Sequence, residues 1–357
     1  MPSDPDKPFK LGVVEGFFGS SWSWQARLDY AEFLSRYGFN TYLYAPKSDR
    51  LLRQDWQAPF PQIHLEKLHA LADAYQQKHL DFGIGLSPFE LYKNFNPGNK
   101  KLLKDKLQQI NFINPSILCI LFDDMQGDLD SLAELQLEIT DFIIEHSHAS
   151  HFIFCPTYYS DDPLLITHFG RQPEHYLEDI GKSLDLSIDI FWTGPQVFTN
   201  TFPRQHLQEL TDKLQRKPLI WHNYPVNDAE RLTAYLHLKP FPNDKAVMQE
   251  LTAGHIANPM NQAYLSQLPL YSLSHIYSGK TGGDHLKSAC EALCPAPLAK
   301  AILQDADFFQ HQGLTGINAN DKQNYLNKYT AFQDSPVAKE IIDWLNGKYA
   351  FDPNCLT

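Results

Sequence analysis

Several things are scarce in this 357-residue sequence, and each shortage narrows what the chain can be. Basic residues are in deficit, with 30 Lys and Arg against 42 Asp and Glu and a net charge of −12. That argues against nucleic acid as a partner, because phosphate backbones are held by basic patches that release counterions. No run of about 18 apolar residues occurs, so no membrane span is expected. Nor does a basic segment lead into an apolar run of about 7–15 residues, so no secretory signal is expected. Cysteine is sparse, and Cys119, Cys155, Cys290, Cys294 and Cys355 form an odd, dispersed set. Such a set reads as buried or free thiols in a reducing compartment. A soluble, cytoplasmic protein is the expectation.

What is present is a near-average 43% of hydrophobic residues, enough for a packed core. Short β-branched or aromatic runs alternate with amphipathic segments. Leu11–Val14 precedes a helical stretch from Trp24 to Tyr37 that Gly38 closes, and Thr41–Tyr44 precedes one from Ile63 to Lys78. Phe82–Leu86 and Ile117–Phe122 follow, the latter apolar throughout, as a strand covered on both faces should be. Phe152–Phe154, Ile188–Phe191 and Leu219–Trp221 continue the series, with a weaker eighth run from Thr252 to Ala257. Eightfold strand–helix alternation predicts an α/β fold of (β/α)8 TIM-barrel type. An open doubly wound sheet competes, but it needs fewer strands and usually a Gly-rich first turn, which is missing. After residue 283 strand-like runs stop and helical ones follow at 285–293, 298–309 and 337–345. The expected division is a barrel over 1–282 and a C-terminal helical extension, 283–357, packed on it.

In such barrels the active site lies at the carboxyl ends of the strands. In order, the residues there are Glu15-Gly16-Phe17-Phe18-Gly19, Ala45-Pro46-Lys47, Ser87-Pro88, Asp123-Asp124, Cys155 through Tyr159, Trp192-Thr193-Gly194, Trp221-His222-Asn223 with Asp228 beyond, and Asn258. Carboxylates, amides, one lysine and aromatic rings thus converge on one rim. Amides and carboxylates bond hydroxyls and aromatic walls cover apolar sugar faces, so the rim suits a carbohydrate. Among its aromatic residues Trp221, Tyr159 and Trp192 are the candidates for the pocket.

The strongest single feature is Asp123-Asp124. Two adjacent carboxylates after a wholly apolar strand are costly unless hydrogen-bonded or functional. The plain alternative, that Asp124 caps the next turn, is weakened by Asp128, which stands nearer the helix as an N-cap. Neighbouring side chains on a strand point to opposite faces, so both acids can share one substrate only if the strand end is irregular.

The motifs Val13-Val14-Glu15-Gly16-Phe17-Phe18-Gly19, Thr41 through Lys47, Leu121-Phe122-Asp123-Asp124, Trp192-Thr193-Gly194-Pro195, Ile220-Trp221-His222-Asn223 with Asp228, and Ala257-Asn258-Pro259 resemble glycoside hydrolase family 84. This family comprises retaining β-N-acetylglucosaminidases that include the protein O-GlcNAcases. The resemblance runs in order from about residue 11 to 275. It implies an exo-acting hydrolase of terminal β-linked N-acetylglucosamine on a glycoprotein, glycopeptide or oligosaccharide, with no metal or cofactor. Some retaining glycosidases let the substrate supply the nucleophile, and here the acetamido oxygen would form an oxazoline. Asp123 would then orient the acetamido group, and Asp124 would act as acid and base. A general acid must hold its proton at the working pH, which a neighbouring carboxylate favours. Gly16 (through its carbonyl), Lys47, Asp228 and Asn258 match residues that hold sugar hydroxyls. Tyr159 and Asn223 match groups around the acetamido and the catalytic pair, and Trp221 matches a pocket wall. Three positions depart from the pattern. Phe18 stands where many relatives have Tyr, Tyr158 where Glu is frequent, and His222 where several have Asp; these bear on aglycone preference more than on chemistry.

Other signals are weaker. Ser278-Gly279-Lys280-Thr281 suggests a phosphate loop, but the position that requires the first glycine is Ser274. His146, His148 and His151 have metal-like spacing yet fall on the barrel face opposite the expected site. Cys290 and Cys294 read as a small buried pair, and Asp161-Asp162 before Pro163 as turn formers. Two other functions compete with the hydrolase: a sugar-binding barrel without turnover, and a metal-dependent barrel hydrolase. The second is disfavoured because the first strand ends in Glu-Gly rather than a His-x-His pair.

Overall fold

Eight strands form where the eight runs are: β1 (Lys10–Glu15), β2 (Thr41–Tyr44), β3 (Asp81–Leu86), β4 (Ile117–Leu121), β5 (His151–Cys155), β6 (Asp189–Trp192), β7 (Leu219–His222) and β8 (Gly254–Ala257). The structure, a computed structural model, describes residues 8–242, 244–280 and 283–351. Cys355 and Thr281 therefore lie outside the described residues. Every strand pairs in parallel with the next, and the sheet closes into a barrel in sequence order. The weak eighth run completes it, pairing Gly254 with both Leu219 of β7 and Lys10 of β1.

Helices α1 (Trp24–Arg36), α2 (Gln62–Gln76), α3 (Pro97–Ile113) and α4 (Leu132–His146) follow the first four strands. Then come α5 (Pro163–Phe169), α6 (Tyr176–Ser183), α7 (Arg204–Leu214), α8 (Lys245–Leu251) and α9 (Ala263–Tyr277). Beyond the barrel are α10 (His285–Leu293), α11 (Ala296–His311), α12 (Ala319–Thr330) and α13 (Pro336–Leu345). Local chemistry sets the ends. Ser23 accepts the Ala26 amide at 3.1 Å to start α1, and Gly38 follows its end with φ +75°. Asn96 caps α3 ahead of Pro97, and Asn114 ends it in the left-handed region.

Helices α5 to α9 and α12 go beyond the sequence reading, which placed no helix at those positions. Helices α5, α6 and α8 have only seven or eight residues, too few to show a 3.6-residue period. Helix α12 is polar almost all round and buries Tyr329 alone. One expectation was wrong: Asp128 caps nothing. The N-cap position of α4 is Ser131, and Asp128 faces solvent 3.9 Å from Arg171.

Strand alternation divides the apolar residues into layers. Val14, Leu43, Cys119, Leu121, Ile153, Phe191 and Ile256 fill the barrel interior. Val13, Tyr42, Leu118, Ile120, Phe154 and Ile190 face outward under the helices. A further cluster joins α9, α11 and α13 through Leu265, Phe309, Ile341 and Trp344. No described helix is long and apolar enough to cross a membrane.

Candidate active site

The carboxyl ends of the strands open into a cavity of about 450 Å³. Gly16, Lys47, Asp123, Asp124, Tyr159, Trp221, Asn223, Asp228 and Asn258 all line it. These nine residues, spread over more than 240 positions, are the ones the sequence reading singled out.

The floor depends on one glycine. A Cβ at Gly16 would overlap the Trp221 indole, so only glycine lets the ring lie against the first turn. Glu15, one residue earlier, faces the other way. Its buried carboxylate takes Nε and Nη2 of Arg27 at 2.8 and 3.0 Å and the Tyr42 hydroxyl. It braces the turn from behind and contributes nothing to the cavity.

The two aspartates reach the cavity through the irregular strand end that their adjacency requires. Strand β4 stops at Leu121, and Asp124 adopts φ +55°, in the left-handed region that non-glycine residues rarely enter. Backbone strain of this kind costs on the order of 1–3 kcal/mol and persists where surrounding structure demands it. Here Arg53 helps, donating through Nη2 to the Asp124 carbonyl at 3.3 Å. Asp123 is buried and ion-paired through Oδ2 with Lys47, itself buried. The other oxygen of Asp123, Oδ1, is also buried and accepts nothing from the protein. Asp124 is more open: its Oδ1 accepts the Tyr159 hydroxyl at 2.8 Å and its Oδ2 lies 3.9 Å from Lys47 Nζ. Burial, and then the charges of Asp124 and Asp123, push the Tyr159 phenol well above its ordinary range, so it stays a donor.

Amides knit the opposite wall. Asn223 Oδ1 accepts from Trp221 Nε1 at 2.9 Å and from Asn258 Nδ2 at 3.0 Å, while its own Nδ2 donates to the Val197 carbonyl at 2.8 Å. Asn258 Oδ1 accepts the Gly16 amide at 3.2 Å. Asp228 Oδ2 accepts the Phe18 amide at 2.8 Å.

Burial pushes the Asp228 carboxyl up to about 6 against the pull of that amide and its own. Its native value is above its unfolded one, so the ionised group costs stability as pH rises through that interval, and the cost is complete above about 6. Asp228→Asn is therefore expected to stabilise the free protein at pH 8 by up to about 3 kcal/mol and to do little below pH 4. Thermal unfolding at the two pH values checks this; an equal shift at both would show that ionisation is not the cause.

Some expectations move. Trp192 is not in the pocket: strand alternation turns it outward, where it is fully buried and donates to His206 Nε2 at 3.0 Å. Phe191, its neighbour, lines the cavity instead and meets Trp221 edge-on at 5.1 Å. Of the three departures, only Phe18 lines the cavity. Tyr158 is buried and donates to the Gly170 carbonyl at 2.9 Å. His222 lies between the Thr199 carbonyl at 3.2 Å and His255 Nε2 at 2.9 Å. A carbonyl only accepts, so His222 Nε2 carries the hydrogen; burial lowers this histidine to about 4, which keeps it neutral.

The cavity also draws on residues the sequence reading passed over: His168, Val197, Phe198, Val226, Ala229, Glu230 and Phe351. They come from the short helix α5, from long connections and from the last described residue, where no periodic pattern exists to mark them. The other signals have structural places. Asp162 caps α5 through the Leu164 amide at 3.0 Å and also accepts the Val197 amide at 3.0 Å. His146 Nδ1 faces the Phe142 carbonyl at 2.9 Å, and His148 and His151 are exposed. Ser278 to Lys280 end a helix rather than leave a strand, which is the wrong context for a phosphate loop. Cys290 and Cys294 are buried free thiols.

A parallel eight-stranded barrel with paired carboxylates and a polar, aromatic-walled cavity at its carboxyl rim defines a (β/α)8 glycoside hydrolase. The chain belongs to the β-N-acetylglucosaminidase family, whose model matches residues 11–301. It is 28% identical to the protein O-GlcNAcases of Mus musculus and Rattus norvegicus over 284 residues, which is 77% of this chain and 30% of each of theirs. The chain thus spans less than a third of those relatives' length. An O-GlcNAc hydrolase variant from Thermobaculum terrenum has a similar structure, with a TM-score of 0.75 at 25% identity over 95% of this chain and 75% of that one.

Proposed function

We propose that this protein is a retaining exo-β-N-acetylglucosaminidase that removes terminal β-linked N-acetylglucosamine by substrate-assisted catalysis, in the manner of an O-GlcNAcase. The observation that carries the mechanism is Asp123. Lys47 occupies one carboxylate oxygen, and the other is a buried acceptor without a donor. Such an atom calls for a partner, and the N–H of a 2-acetamido group supplies one. That bond turns the acetamido oxygen towards the anomeric carbon.

In the first step the acetamido oxygen bonds to the anomeric carbon as the glycosidic C–O bond breaks. Asp124 gives its proton to the departing oxygen, and Asp123 holds the N–H of the resulting oxazoline ring. In the second step water attacks the anomeric carbon and yields its proton to Asp124, and the ring opens back to the acetamide. Two inversions leave the configuration unchanged. Gly16, Lys47, Asp228 and Asn258 hold the sugar hydroxyls, Trp221 covers an apolar sugar face, and Tyr159 and Asn223 steady the acetamido side. The aglycone belongs to a glycoprotein, glycopeptide or oligosaccharide, and the names of the relatives favour modified protein. The four cysteines among the described residues are buried free thiols, which favours a reducing, cytoplasmic setting.

The test is turnover of an aryl β-N-acetylglucosaminide followed by proton NMR. Release of the phenol with the β anomer formed first is expected. First formation of the α anomer would overturn the mechanism, and binding of N-acetylglucosamine without turnover would leave a lectin-like barrel.

A further inference from the structure

The connection after β7 runs from Asn223 to Asp244 and is the longest on the rim. Its first part enters the cavity with Asn223, Val226, Asp228, Ala229 and Glu230. Its second part leaves the barrel and lies on the C-terminal helices. There Leu236 and Leu238 are fully buried in one apolar cluster with Phe309, Ile341 and Trp344.

The backbone of that second part finds its partners in the extension. Trp344 Nε1 donates to the Thr233 carbonyl at 3.0 Å, and the Leu314 amide donates to the Ala234 carbonyl at 2.8 Å. The Leu236 amide donates to the Phe309 carbonyl at 3.1 Å. Gln310 Oε1 accepts both the Leu238 and Lys239 amides, at 2.7 and 3.0 Å. At Gly313, φ +53°, a Cβ would strike the Ala234 carbonyl, so the two backbones touch.

Three side chains couple this anchored part to the cavity side: His237 Nδ1 faces the Pro225 and Val226 carbonyls, the Tyr224 hydroxyl donates to the Lys239 carbonyl, and buried Asn227 stands beside Asp228 itself. Asn227, next to Asp228, donates through Nδ2 to the Tyr235 carbonyl and to Gln262 Oε1, both at 2.9 Å. Its Oδ1 accepts the Asn261 amide at 3.3 Å. Tyr235 lies between Ala234 and Leu236, both held by the extension. The position of Asp228 is thus referred, through Asn227, to helices outside the barrel. The extension is itself tied down where Glu340 of α13 accepts the Tyr264 and Leu265 amides at the start of α9, at 3.1 and 2.8 Å.

We propose that the C-terminal helices are part of the sugar-binding machinery, with Gln310 and Trp344 acting as positioning residues that hold the β7 connection so that Asp228 is presented to the sugar. This rests on the reading of Asp228 as a sugar contact. A structural role alone would reduce the amount of folded enzyme and so lower kcat while leaving KM unchanged. A positioning role moves KM.

The test is steady-state kinetics on an aryl β-N-acetylglucosaminide with the full chain. Gln310→Ala leaves two part-buried backbone amides without an acceptor and is expected to raise KM ~10-fold with kcat changed less than ~3-fold. Gln310→Glu keeps an acceptor oxygen and is expected to restore KM to within ~2-fold of the wild type. Trp344→Phe keeps an aromatic ring but removes the N–H donor together with part of the indole's volume, and is expected to raise KM in the same way. In an Asp228→Asn background Gln310→Ala should add no more than ~2-fold, because the group being positioned has already lost its charge. An unchanged KM in the single Gln310→Ala variant, or an undiminished effect in the double variant, overturns the proposal. If Asp228→Asn alone leaves KM at its wild-type value, the site assignment fails, and this inference with it.

Discussion

Asp124→Ala is expected to slow hydrolysis of N-acetylglucosamine carried on an alkyl oxygen, as on serine, by ~10³-fold, within the range general acid–base catalysis supplies. The loss should shrink steeply as the leaving group improves, because an activated phenolate departs without a proton. Position suits this residue to the proposed role of proton carrier. Its side chain is about a quarter exposed, the Tyr159 hydroxyl steadies one oxygen, and the left-handed backbone turns it out from the strand. The measurement is kcat/KM over a series of aryl leaving groups. A steeper dependence than that of the wild type is the expected result, and a parallel line would remove Asp124 from the acid role.

The second large effect belongs to Asp123. Asp123→Asn is expected to lower kcat by ~10²–10³-fold whatever the leaving group, because nucleophile orientation is needed for every substrate. Its leaving-group dependence should run parallel to the wild type, the opposite of the Asp124 variant. Asp123→Ala is less informative, since it strands the buried Lys47 ammonium, and breaking a buried pair costs about 3–5 kcal/mol. Asparagine keeps the shape and an acceptor for Lys47, and thermal unfolding should confirm that it stays folded. Equal leaving-group responses in the two variants would mean that the acids share one task.

Both predictions concern adjacent residues, and adjacency was legible in the sequence; the division of labour was not. The apolar run at 117–122 announces a buried strand, and two acids at its end announce chemistry. That Asp123 faces Lys47, 76 positions away, and Asp124 faces Tyr159, 35 positions away, follows from the order in which strands close the barrel. Trp192 and Phe191 make the same point. Both are large aromatic residues at the end of one strand, and only the barrel's alternation decides which enters the cavity. Asp128 looked like a cap by its distance from the helix, but the chain turns before reaching it.

By itself, then, the sequence determined the strands and the rim: eight apolar runs, the residues that follow each, and motifs that match one family. These are local quantities, set by side-chain periodicity and by which residue comes next along the backbone. Only the tertiary structure decided which groups face one another and what holds them. The orphaned oxygen of Asp123, the indole over Gly16 and the hold of the C-terminal helices on the Asp228 connection join residues far apart in the chain. Such contacts depend on strand register and on buried backbone groups finding partners, and neither leaves a periodic trace in the sequence.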